Sequence, residues 1–479
     1  MRQTVYLILF FVVLALPFAL RSVLGLSNDV KPAQRDAQPL VILTPHAESV
    51  KREFAEAFDR WHRETFGKPV AIDYRVMSTN DIVRYLHTGK EAFAKFKTFG
   101  VDLVWGGGDF LYDVELRREA VLEPTELPKE LMTAAYPKPD LGGLALYDRS
   151  NPPTWFGTAL SSFGIVYNKD VLKHLGVPEP RRWDDLKDPR YRNWLVLADP
   201  SKSGIARSVF MVIVERAMED AKIIGRSEDV GWAQGMGLVR QIASNARLFN
   251  DSGTSVSSWV SSGDVAAGLA IDFQARTQLE AVGESRLGYV EPVGATSINP
   301  DPVAMVKGAP HHETARRFIE FLLSDGGQRL WITRAGAPGG PRLNSLRRLP
   351  IVPSVYANPA NFTEAANPFA AAENFNTSES RRKTLPIIGD LIEMSCIDLL
   401  DELRHTRALI LNSPDATTLD LRLGLFPLTQ RDAILLAGDF QKMTPIQRLQ
   451  ERRKLEEDFR NEYEALRRAA EKRAAAHVQ

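Results

Sequence analysis

From Leu40 onward the apolar positions alternate between two rhythms. Short apolar runs at Leu40–Leu43, Val70–Val76 and Val101–Trp105 read as buried strands. Between them, Glu48–Phe66 carries Val50, Phe54, Phe58 and Trp61 at helical spacing, and Asp81–Thr88 reads as a second helix. Strands alternating with helices predict βαβ units and a mainly parallel sheet, an α/β fold class. Ligands of such sheets gather at the carboxyl ends of the strands. The residues at those ends are Thr44, Pro45 and His46, then Ser78, Thr79 and Asn80, then Gly107, Gly108 and Asp109. A second α/β block spans Phe163 to Arg276, with a strand at Trp194–Ala198, helices at Ile205–Asp220 and Trp232–Asn245, and the segment Ala267–Phe273. The chain then returns: Leu287–Val290 and Ala304–Val306 read as strands of the first block, and Thr314–Leu323 as a helix. An excursion followed by a return predicts two lobes joined by more than one crossing, with a ligand cleft between them.

The two ends of the sequence differ from this pattern. Arg2 precedes a nonpolar run, Val5 to Leu20, which stops at Arg21. A basic start and an apolar stretch form a secretory signal, so residues 1–26 are expected to be a signal peptide or a retained membrane anchor, and 27–39 a linker. The expected location is the periplasm, free or held at the inner membrane by this helix. Beyond Pro353, Tyr356–Ser380 reads as a loop and Ile387–Asn412 as one helix. Thr444, Pro445, Ile446 and Gln447 form a capping-box start. The helix that follows runs to about Ala476, with Leu455, Phe459, Tyr463 and Leu466 on one face and Glu456–Arg460 and Glu464–Arg468 as exposed pairs. The expected layout is lobe 1 at 40–160 and 277–350, lobe 2 at 161–276, and a helical C-terminal extension at 351–479.

Composition narrows the chemistry. With 60 basic and 60 acidic residues the chain has no overall basic field for nucleic acid. One cysteine, Cys396, permits neither an internal disulfide nor a structural zinc site, and its apolar neighbours mark a buried, inert thiol. The 8 histidines form no H-E-x-x-H pattern, and there is no G-x-S-x-G elbow. Glycines 106–108 lack the spacing of a nucleotide-binding loop and read as a tight turn at a cleft edge.

The most informative stretch is Trp183–Gly204, WDDLKDPRYRNWLVLADPSKSG: a turn, a strand ended by Asp199 and Pro200, and a small-residue loop opening a helix. Ser201, Ser203 and Gly204 place hydroxyls and free amides at that helix start, which reads either as an ordinary helix cap or as a place to hold an anionic or polar ligand without catalysis. Together with VILTPH at Val41–His46, VDLVWGGG at Val101–Gly108, WFGTALSSFGIVYN at Trp155–Asn168, GLAIDF at Gly268–Phe273 and PVAMVKGAP at Pro302–Pro310, it carries a resemblance. The chain resembles periplasmic solute-binding proteins of ABC importers, the bilobal type II class, nearest its ferric-iron-binding branch. The likeness covers about Leu40 to Pro350.

That resemblance implies a non-enzymatic binding component. Its lobes would close on a solute by a hinge of crossover strands and dock on an inner-membrane ABC permease as a monomer. It implies no resident cofactor; Fe3+ would be cargo. Ferric-iron binders of this class use tyrosine phenolates, and the corresponding segment here, Ile271–Arg276, has none. His46 and Asp272 are the candidate metal ligands, too few to hold the ion by themselves, and His46 also reads as a capping or packing histidine at a strand end. Arg276 and the hydroxyls of Ser161, Ser162, Ser203, Thr254 and Ser255 suit an anionic or polyol solute. The expected ligand-binding set is His46, Thr79, Asn80, Gly108, Asp109, Ser162, Ser203, Gly204, Asp272, Gln274 and Arg276; Asp272 reads either as facing the cleft, with Ile271 and Phe273 in the core, or as a salt-bridged structural carboxylate. The competing readings are an enzyme on the same scaffold, for which His46 with Asp272 is the available pair, and a membrane-tethered sensor or interaction protein using the terminal helices.

Overall fold

A computed structural model describes residues 36–371 and 380–478; the N-terminal apolar run lies outside them. Two main sheets organise the chain. In chain order their strands are β1 (Gln38–Thr44), β2 (Val70–Val76), β3 (Leu103–Trp105), β4 (Phe156–Ser161), β5 (Phe163–Asn168), β6 (Leu195–Ala198), β7 (Ala246–Asn250), β8 (Ala267–Ile271), β9 (Leu287–Val290), β10 (Asn299–Met305) and β11 (Leu349–Pro350). The main helices are α1 (Glu48–Phe66), α2 (Thr79–Thr88), α3 (Gly204–Ile223), α4 (Glu228–Ala243), α5 (Asp272–Val282), α6 (His312–Leu323), α7 (Asp325–Ile332), α8 (Ser380–Ile392), α9 (Leu400–Leu411), α10 (Ala416–Leu423), α11 (Gln430–Lys442) and α12 (Pro445–Val478).

Lobe 1 is the sheet β11-β4-β10-β3-β1-β2, and lobe 2 the sheet β9-β5-β8-β6-β7. The strands that the pattern reads as βαβ units are parallel: β1 with β2 and β3, and β6 with β7 and β8. The crossing strands are not. β10 runs antiparallel to β3 and β4, and β5 antiparallel to β8 and β9. Each sheet is therefore mixed rather than mainly parallel, because a strand arriving from the other lobe enters against the direction of the local units.

The chain first crosses at Ser162, between β4 and β5, and returns between Val290 and Asn299. Thus α5 and β9 belong to lobe 2, and the return comes later than residue 277; β9 pairs with β5 rather than with any lobe-1 strand. The lobe-1 core, built on Phe54, Phe58, Trp105, Phe318 and Trp331, also includes Ile351, Val352 and Val355. The first part of the expected extension is therefore lobe 1.

The remaining helices join lobe 2. One continuous core runs from Phe210 and Trp232 to Leu391, Phe459 and Tyr463, with α8 packed on α3 and α11 on α4. The segment expected as one helix at Ile387–Asn412 is interrupted. A wide helical turn at Glu393–Ile397 separates α8 from α9. Such a turn shifts backbone partners, and here the Ser395 carbonyl accepts from Tyr463 Oη at 2.5 Å while Ser395 Oγ donates to Leu391 O at 2.6 Å. Cys396 is buried in this turn, and burial pushes its thiol up to about 11. The apolar face of α12 packs inward at Phe459, Tyr463 and Leu466, and the Glu464–Arg468 pair forms at 3.3 Å. Arg460 instead pairs with Glu457 and Glu402.

Candidate ligand cleft

Lobe 1 presents the ends of β1, β2 and β3 to the gap. Thr44 Oγ1 donates to Trp105 O at 2.7 Å and accepts from His46 N at 3.1 Å, which folds Pro45 and His46 across the sheet end. The His46 ring lies against Trp105, with centroids 4.5 Å apart. Gly106 and Gly107 have φ of 92° and 105°, where side chains are strained. A Cβ on Gly106 would stand 2.7 Å from His46 Nε2, and one on Gly107 2.8 Å from Thr79 Cγ2. The glycines are there because His46 and Thr79 occupy the space a side chain would need. Gly106→Ala is expected to cost about 1–3 kcal/mol in strain alone and to displace His46, which chemical denaturation and the imidazole NMR shifts of His46 would register; an unchanged midpoint and spectrum would refute this packing role.

Lobe 2 contributes the end of β6. Buried Asp199 organises the loop, accepting from Ser201 N and Oγ at 2.8 and 2.7 Å. Ser203 caps α3 through Ala206 N and accepts from Gly253 N at 3.2 Å, so the helix start and the Gly253–Thr254 loop are held together. The lobes meet along one side. Asn80 Nδ2 donates to Ser201 O at 3.2 Å, Arg207 lies 3.5 Å from Glu115, and a Cβ on Gly204 would lie 3.8 Å from Thr79 Oγ1.

Between the lobes is a cleft of about 1420 Å³. Seven of the expected residues line it: His46, Thr79, Gly108, Asp109, Ser203, Gly204 and Gln274. Asn80 sits beside it, on the interlobe contact. Ser162, Asp272 and Arg276 do not line it. The expected orientation at β8 is reversed: Ile271 and Phe273 face the cleft and Asp272 the interior. The strand ends at Ile271 and α5 begins at once, so Asp272 N donates to Ser162 O at 3.0 Å, and its side chain turns back toward Arg276, one turn on. Arg276 is held by Glu291 at 2.7 Å and by Glu364 at 3.5 Å, which makes it a brace at the lobe junction. Burial pushes the Asp272 carboxyl up to about 6, against the opposing pull of Arg276.

The strongest polar group of the cleft floor escapes sequence reasoning. Arg348, only 2% exposed, donates to Asp301 Oδ2 at 2.6 Å and Ser161 Oγ at 3.0 Å, and its guanidinium stacks on Phe273 and Trp331. Asp301 also accepts from Gly108 N at 3.2 Å and approaches His46 Nε2 at 3.6 Å. Burial works against the Asp301 charge, but Arg348 and His46 outweigh it and hold the carboxyl below its usual range. His46 has the opposite outcome: burial, reinforced by Arg348, lowers its pKa to about 4 despite Asp301, so the imidazole is neutral at pH 7. Arg348 and Asp301 lie outside the small-residue loops that betray a strand end; the one available signal is an arginine pair, Arg347 and Arg348, ahead of an apolar run. Among the described residues no tyrosine lines the cleft, and no group of three or more His, Cys, Asp or Glu is arranged to hold a metal ion.

Residues 142–348 match the family described as bacterial extracellular solute-binding protein. The chain is 30% identical over 185 residues to the phosphoglycerate transport regulatory protein of Salmonella typhimurium, covering 39% of this chain and 42% of that one. It is 25% identical over 270 residues to iron uptake protein A1 of Synechocystis sp., covering 51% and 70%. The match thus spans under half the length of the first relative. Among solved structures, the ferric binding protein from Campylobacter jejuni has a TM-score of 0.50 at 16% identity, covering 76% of this chain and 99% of that one. The apo ferric ion-binding protein A of Pasteurella haemolytica has 0.51 at 15% identity, covering 77% and 98%. These two likenesses establish the fold: the bilobal type II architecture of periplasmic binding proteins, here with a helical C-terminal region.

Proposed function

We propose that this chain, whose residues 142–348 match the bacterial extracellular solute-binding protein family, captures a small polar or anionic solute in its interlobe cleft and presents it to an ABC permease at the inner membrane. One observation carries the reading: loop tips distant in sequence, from His46, Thr79 and Gly108 of lobe 1 and Ser203, Gly204 and Gln274 of lobe 2, line a single cleft. Closure shields the solute from water, and only contacts absent in the open state favour it. The protein is read as a non-enzymatic monomer acting in the periplasm. The first relative's name points to a phosphorylated solute and the second's to iron. Among the described residues, a cleft lining without tyrosine weighs against a phenolate-bound ferric ion.

A thermal-shift screen tests this. A solute present at one hundred times its Kd stabilises the folded state by about 2.7 kcal/mol, and X-ray scattering is expected to show a more compact particle when it binds. A protein whose melting and scattering respond to no oxyanion, polyamine, sugar or metal, but which turns over one of them, would be an enzyme instead.

The helical extension favours a second reading, that of a sensor or interaction protein. Leu385 of α8 reaches the interlobe contact beside Gly107, Gly204 and Arg207, so closure of the lobes bears directly on a helix outside the bilobal unit. Among the described residues no helix is long and apolar enough to cross a membrane.

A further inference from the structure

The carboxylates that line the cleft already have partners. Glu48 is paired with Lys51 at 2.6 Å, Asp251 with Lys202 at 2.7 Å, Glu280 with Arg347 at 2.7 Å and Asp301 with Arg348 at 2.6 Å; Asp109 lies 3.4 Å from Asn299 Nδ2. The donors are in surplus. Two residues of the lining carry a buried side-chain atom with no hydrogen-bond partner, Arg348 at Nε and His46 at Nε2. Both residues are more than nine-tenths buried and both meet at Asp301. Two residues after His46, α1 starts with Ala47 as its N-cap, so no side chain caps its first-turn amides. Ala47, Glu48, Ser49 and Val50 all line the cleft. Unlike α2 and α3, which Ser78 and Ser203 cap, this 19-residue helix turns an uncapped positive end toward the solute space.

Resting on the reading of the cleft as a solute site, we propose that its floor is an oxyanion subsite, in which Arg348, His46 and the first-turn amides of α1 receive the phosphate or carboxylate group of a small organic solute. Asp301 positions Arg348 and His46 for this and does not touch the anion. Phe273 of lobe 2, whose ring stacks on the Arg348 guanidinium at 4.5 Å, covers the floor from the second lobe. The hydroxyls around Ser203 and Thr254 then face the uncharged remainder of the solute.

The test is calorimetric titration of the full chain with glycerol 3-phosphate, malate, inorganic phosphate, and the neutral twin glycerol. At least one organic anion is expected to bind at least tenfold more tightly than glycerol, with inorganic phosphate competing for the same site; the relative strength of glycerol 3-phosphate and malate assigns the group as phosphate or carboxylate. Arg348→Gln is expected to weaken that anion at least tenfold. Because this change also strips Asp301 of its partner, His46→Gln serves as a second variant, and several-fold weaker anion binding is expected there with the fold retained. Equal affinity for glycerol and the anions, or anion affinity unmoved in His46→Gln, overturns the oxyanion subsite while leaving solute capture standing. No binding by any of the four overturns the subsite too, and solute capture falls separately if the wider thermal-shift screen is also blank.

Discussion

Replacing Arg240 by leucine will lower the unfolding free energy by about 3–5 kcal/mol, the usual result of removing one partner from a buried ion pair. Arg240 is fully buried on α4 of lobe 2. Its guanidinium donates to both carboxylate oxygens of Glu462 at 2.7 and 3.2 Å, and to the carbonyls of Leu423 and Leu425 at 2.6 and 2.9 Å. The rings of Phe426 and Tyr463 lie 5.5 and 5.6 Å from it. One side chain therefore satisfies groups on α12, at the end of α10 and in the following turn. Leucine offers none of these donors, so two backbone carbonyls and a carboxylate lose their partner together. Because Glu462 is partly exposed, Glu462→Gln, which keeps a hydrogen-bond acceptor, should cost much less. Urea unfolding measures both. Limited proteolysis adds a local readout, since cleavage within α9–α12 should precede cleavage of the lobes in Arg240→Leu. A loss below about 1 kcal/mol would mean that the extension is held by its apolar contacts alone.

The second large effect is a pH dependence that the native protein conceals. His46 binds its proton only near pH 4 when folded, against an ordinary 6.5. The unfolded chain thus holds more protons at this site between those values, and folding stability from His46 falls as pH drops from 6.5 toward 4. Asp272 does the reverse. Its folded value near 6 exceeds the ordinary 3.8, so the folded state holds the extra proton and stability from Asp272 rises as pH drops from 6 toward 3.8. Between pH 7 and 4.5 each contributes about 2–3 kcal/mol, with opposite sign. Asp272→Asn removes one of them: relative to wild type it should lose about 2–3 kcal/mol more on acidification over that range. His46→Gln should gain a similar amount relative to wild type. The comparison stops at pH 4.5, above the range where carboxylates with lowered values, such as Asp148 and Asp301, begin to protonate. Parallel stability curves for the three proteins would show that neither group titrates across its folding transition.

Much of the scaffold is legible in the residues because helix and strand spacing there coincides with burial. The interval Glu48–Phe66 folds as the helix its apolar spacing predicts, and Val70–Val76 as the predicted strand. The loop tips are legible for the same reason: small and helix-starting residues at strand ends must face the gap. What escapes is long-range. Nothing local tells whether Leu287–Val290 pairs with lobe 1 or lobe 2, since either sheet would bury it equally. Asp272 misleads because alternation holds within a strand and is lost at the residue where a helix begins. Arg348 is missed because its importance comes from Asp301, 47 positions away, and from Phe273 of the other lobe. The extension misleads at Cys396, where the apolar period continues but the wide turn needs the Tyr463 hydroxyl to donate to the freed Ser395 carbonyl.

The shared core of α8–α12 and lobe 2 makes the two halves of the molecule unequal. In the proposed hinge closure, the half built on β5–β9 would carry five extra helices with it as a single load, and the half built on β1–β4, β10 and β11 would be the lighter paddle. Where α8 lies on α3 and α11 on α4, that part of lobe 2 is closed to any outside partner. Under the proposed function, a permease that recognises the closed form would read the rims of the gap, where the distance between halves is what changes.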